Sequence, residues 1–136
     1  MGLGRVVPGV LALSLLVACS NTPVRSVPMP PSDATPARVL TTYLQALRAG
    51  DCPTARALGT STFVPGNGEL CGHLTVKANT PLGTPAERGD GEVIFSTVLT
   101  TDGGDDSMPD GDHIWFYSLK RQPAGMWRLI AGGSGP

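Results

Sequence analysis

The chain is poor in aromatic side chains, in histidine and in charge. Two tryptophans, two tyrosines and three phenylalanines serve 136 residues, so the aromatic contribution to any core is small. Charged residues make up 15% of the sequence, the formal net charge is −1, and no run of lysine or arginine stands out. That balance argues against nucleic acid as a partner, because phosphate recognition needs a basic patch. The two histidines and three cysteines match no zinc-ligand spacing, and no metal or cofactor is implied. No G-x-S-x-G nucleophile elbow is present. The longest apolar run, "VVPGVLALSLLV" over 6–17, falls short of the roughly 20 residues a spanning helix needs, and Pro8 and Gly9 interrupt it. There is no internal repeat.

What is present begins with that short run. Arg5 and the terminal amine precede it and small Ala18 follows, which is the layout of a bacterial secretory signal. An uncleaved membrane anchor is the alternative. The tetrapeptide "LVAC", Leu16 to Cys19, resembles the lipobox of bacterial lipoproteins. The resemblance implies that residues 1–18 are removed, that Cys19 carries lipid, and that the protein sits on the outer face of the cell membrane. A chance cysteine beside a plain cleavage site is the competing reading. One acyl chain anchors marginally, whereas two hold a protein stably, at about 0.8 kcal/mol per buried methylene.

Residues 19–36 read as a tether. Pro23, Pro28, Pro30, Pro31 and Pro36 punctuate it without apolar periodicity. Proline-rich chain extends by about 3.1 Å per residue, so this segment would hold a domain up to roughly 50 Å from the lipid. With Cys19 acylated, Cys52 and Cys71 remain, and exported proteins retain paired thiols. A bridge between them closes a loop of about 20 residues, worth roughly 3 kcal/mol in the chain-entropy model. Two free thiols or a metal pair are the alternatives.

The folded domain is expected over 37–136. "TPARVLTTYLQALRAG" reads as a helix capped by Thr35, with Pro36 in the first turn and Gly50 past the end. Val39, Leu40, Tyr43, Leu44 and Leu47 share one face. "DCPTARAL" reads as a second, short helix capped by Asp51. The stretch 59–73 reads as loop. "LTVKA" reads as a strand, "NTPLGTPAERGD" (79–90) as a loop, and "GEVIFSTVLTT", "HIWFYSLKR" and "MWRLIAGG" as three strands in an antiparallel meander. Helices followed by strands predict an α+β domain with the helices on one face of a curved sheet.

"YLQALRAGDCPTARAL" and "WFYSLKRQPAGMWRLIAGGSGP" resemble actinobacterial lipoproteins of the nuclear-transport-factor-2-like superfamily. That resemblance implies a cone: a bent antiparallel sheet wrapped on N-terminal helices, related to the cystatin-like arrangement. The segment between Cys71 and Gly91 is short for the full version, which implies a reduced cone without a third helix.

The same superfamily hosts isomerases, dehydratases and non-catalytic proteins, so fold leaves the activity open. No family catalytic residue maps onto a position here, and the strong strands carry no internal carboxylate. Asp102, Asp105, Asp106, Asp110 and Asp112 crowd one loop, which reads as a solvated hairpin connection or as a weak cation site. His73 and His113 read as surface or capping groups. Tyr43, Trp115, Tyr117 and Trp127 are the candidate lining of a ligand pocket, and each also reads as core. The sequence thus leads to a lipid-anchored lipoprotein with a small binding or accessory domain, leaning away from catalysis. Its expected partners are the membrane, through the N-terminal lipid, and a small apolar ligand or an envelope protein. A ketosteroid-isomerase-like lyase or isomerase is the rival.

Overall fold

A computed structural model describes Gly2, Gly4 and residues 25–135; Cys19 and the "LVAC" motif lie outside the described residues. Two helices and four strands follow in order: α1 (Pro36–Ala49), α2 (Cys52–Ala57), β1 (Thr75–Glu87), β2 (Glu92–Asp102), β3 (Gly111–Arg121) and β4 (Trp127–Gly133). The strands make one antiparallel sheet in the order β1-β2-β3-β4; α1 packs on the sheet, α2 packs on α1, and both helices contribute to one core. The α+β class is therefore observed. Among the described residues no helix is long and apolar enough to cross a membrane.

α1 has both ends satisfied. The Thr35 side chain accepts the Arg38 N–H, Pro36 occupies the first turn, and Gly50 turns left-handed with φ of 69°. That reversal lets Asp51 N–H reach Ala46 O at 2.9 Å and leads at once into α2. Asp51 then caps α2 by accepting Thr54 N–H. Its other carboxylate oxygen accepts Val27 N–H at 2.8 Å. These bonds, the one from Val27 foremost, hold its carboxyl below the usual range. Val27 also packs on the core, so the proline-rich leader is docked from this point rather than free along its whole length.

β1 corrects one expectation. Residues 79–87 lie in a strand and not in a loop. Pro81 and Pro85 argue against a central strand, but β1 is the outer strand of the sheet. An edge strand tolerates proline because one side of its backbone has no ladder partner. The pairing with β2 slips between Leu82 and Ala86, next to Pro85.

The opposite edge is covered. The chain leaving α2 forms a short parallel bridge along β4, with Thr60 N–H donating to Leu129 O and Leu129 N–H to Leu58 O. Asn67 O accepts Gly132 N–H further along. Beneath it lies the core, where Tyr43, Phe63 and Tyr117 meet edge to face at centroid separations of 5.2, 5.5 and 6.4 Å. Leu58, Leu99, Leu119 and Leu129 pack around them without exposure.

Candidate functional site

The site begins where β4 stops. β4 ends at Gly133, opposite Phe116, while β3 extends back to Gly111. Beside this overhang lies a cleft of about 740 Å³. Its far wall is the loop from Pro65 to Leu74, and its roof is the loop from Gly104 to Met108. Trp115, His113 and Asp112 of β3 line it, as does His73. A smaller hollow of about 490 Å³ lies beside the disulfide, and one of about 200 Å³ lies between α1 and the β1–β2 pair.

Two locks hold the far wall. The Cys52–Cys71 disulfide, with Cα atoms 5.4 Å apart, ties its end to α2. Glu69 is the second lock. Its side chain is fully buried, Oε1 accepts Cys71 N–H at 2.8 Å, and Arg56 Nε lies 3.8 Å from Oε2. Oε2 has no hydrogen-bond donor among the described residues. A buried carboxylate with one open oxygen is costly, and the ion pair with exposed Arg56 offsets only part of that cost.

The roof is built from the acidic loop. Asp110 accepts Gly103 N–H at 2.7 Å, and Asp105 accepts the Ser107 amide and hydroxyl. Those bonds to Ser107 keep the Asp105 carboxyl below its ordinary range, so it is ionised at neutral pH. Asp102 pairs with Lys77 at 2.8 Å, and Asp112 accepts the Thr100 hydroxyl at 2.6 Å. His113 Nε2 lies 2.5 Å from Pro109 O and donates to it. The aspartates thus shape the connection, and no cluster of His, Cys, Asp or Glu among the described residues is arranged to hold a metal.

The four candidate aromatics separate. Trp115 lines the cleft, half-buried, and its Nε1 has no acceptor among the described residues. Tyr43 and Tyr117 are fully buried core. Trp127 packs on the core at the far end of β4. Burial drives both tyrosine hydroxyls well above their ordinary pKa, so each stays neutral. Sequence reasoning did not single out Glu69; a lone loop glutamate carries no signal of burial.

The two hydroxyls predict unequal mutational effects. Tyr43 Oη accepts Leu70 N–H at 3.3 Å, whereas the Tyr117 hydroxyl has only a weak approach to Tyr43 Oη among the described residues. Tyr43→Phe should cost about 1 to 3 kcal/mol by leaving a buried amide unsatisfied. Tyr117→Phe should cost less, under about 1 kcal/mol, because only a weak bond to Tyr43 is lost. Urea unfolding of both variants checks this, and equal losses would contradict it.

Comparison with known proteins finds no match to a family model, a curated protein or a solved structure.

Proposed function

We propose that this protein is a lipid-anchored envelope lipoprotein whose small domain is a non-catalytic binding module, with its ligand in the cleft beside Trp115. The supporting observation is the 740 Å³ cleft, which falls within the size range of ligand sites and joins one aromatic wall to a few polar groups. The lipid anchor rests on the "LVAC" resemblance at Leu16 to Cys19. The reduced-cone reading rests on the superfamily resemblance, and a sheet packed on N-terminal helices is compatible with it.

The lyase or isomerase reading gains one observation. Glu69 supplies the internal carboxylate that the strands lack, near two neutral tyrosines. Its side chain has no solvent exposure, however, and a proton-transfer base must reach its substrate. The binding reading is therefore preferred.

Tryptophan fluorescence titration against lipids and small apolar or amphipathic molecules tests the proposal. Saturable quenching is expected in the wild type and in Trp127→Phe, and at least a tenfold weaker response in Trp115→Ala. Quenching that survives Trp115→Ala, or turnover abolished by Glu69→Gln, would move the site or the activity elsewhere.

A further inference from the structure

The unpaired stretch of β3 says more about what the cleft accepts. β3 pairs with β2 along its whole length, from Glu92↔Lys120 to Thr101↔Gly111. On its other side, pairing with β4 begins only at Phe116. Alternate residues from Gly111 to Trp115 therefore turn backbone N–H and C=O away from β2, toward the cleft. No backbone partner for these groups exists among the described residues.

The sheet's other open edge is treated differently. β1 carries Pro81 and Pro85 and an offset pairing with β2. Those are the devices by which proteins blunt an edge against further strands. The 111–115 stretch of β3 has no proline and no bulge, so it remains competent to accept one. The cleft's charge is also one-sided. Asp105 and Asp112 line it beside His73 and His113, and among the described residues no lysine or arginine does.

Resting on the binding-module reading, we propose that the occupant of this cleft is an extended basic peptide, added antiparallel to β3 as a continuation of β4. Main-chain hydrogen bonds to residues 111–115 would supply affinity. Lysine or arginine side chains facing Asp105 and Asp112 would supply selectivity. Trp115 would give a cation a ring to rest on.

The test uses the full chain with Cys19→Ser, followed by amide and indole NMR. The probes are a short blocked peptide of alternating valine and lysine, its copy N-methylated on alternate amides, and its glutamate counterpart. The lysine peptide is expected to shift the Trp115 indole and protect amides within 111–115 from exchange. N-methylation should weaken it about tenfold or more by removing main-chain bonds. The glutamate peptide should not bind. Asp105→Asn with Asp112→Asn should weaken the lysine peptide about fivefold. Equal binding of the N-methylated copy overturns strand addition, and equal binding of the glutamate peptide overturns the charge preference. A small molecule that moves the Trp115 indole where no peptide does overturns the peptide but leaves the binding-module reading standing. An indole untouched by peptides and small molecules alike overturns both.

Discussion

Replacing Cys52 with alanine is expected to cost the domain about 2 to 5 kcal/mol, the usual loss for a native disulfide in a small secreted domain. The bridge spans a sequence separation of 19 and joins the first turn of α2 to the wall of the cleft. The segment it closes, residues 53–70, contains no regular element beyond α2 itself, so the unfolded chain gains much freedom when the bridge is lost. The damage should also be local. Arg56 donates to Cys71 O, and Glu69 accepts Cys71 N–H, so a displaced Cys71 loosens the buried carboxylate as well. Chemical denaturation of Cys52→Ala beside Cys71→Ala measures this. The two losses should be alike, and the double variant should lose no more than either, because each single change removes the same bond. A loss under about 0.5 kcal/mol in both would show that the loop is held without the bridge.

The second large effect is expected at Gly68. Its backbone has φ of 104°, a conformation that side chains rarely adopt, and a Cβ there would run into the backbone of Gly132. The reverse approach is also tight, since a Cβ on Gly132 would lie 3.1 Å from Gly68 Cα and 3.1 Å from Trp115 Nε1. These two glycines let the cleft wall touch the end of β4. Gly68→Ala should therefore cost about 2 to 5 kcal/mol, combining backbone strain with overpacking. It should also shift the Trp115 indole resonance even without ligand. Gly66→Ala offers a control, since Gly66 has positive φ but open space around its Cβ position. It should cost less than Gly68→Ala, by about the overpacking share of 1 to 3 kcal/mol. Equal losses at both positions would show that close approach to Gly132 contributes nothing.

Local signals carry much of the fold in this chain. Thr35, Pro36 and Gly50 mark the ends of α1 where the structure has them, and Asp51 caps α2. The β-branched runs place β2 and β3 within a residue or two. Signals that depend on position in the sheet are not legible in this way. Pro81 and Pro85 look like loop residues until β1 is known to be an edge. Val27 looks like part of a featureless leader until Asp51 is seen to accept its amide. The site is harder still. Trp115, Tyr117, Tyr43 and Trp127 are alike as candidates in sequence, yet depth in the core and position along the strand give them different surroundings. Glu69 and the cleft itself arise where loops meet the end of a shortened strand, and no periodicity encodes that meeting.

The central claim, an acylated anchor carrying a domain with an occupied cleft, is tested most directly by native mass measurement of the protein taken from its own host's membranes. The account predicts a chain that starts at Cys19 with a diacylglyceryl adduct, carries an oxidised Cys52–Cys71 pair, and retains a non-covalent adduct that Trp115→Ala fails to retain. A mature chain without acyl mass, or an adduct held equally by Trp115→Ala, would contradict it.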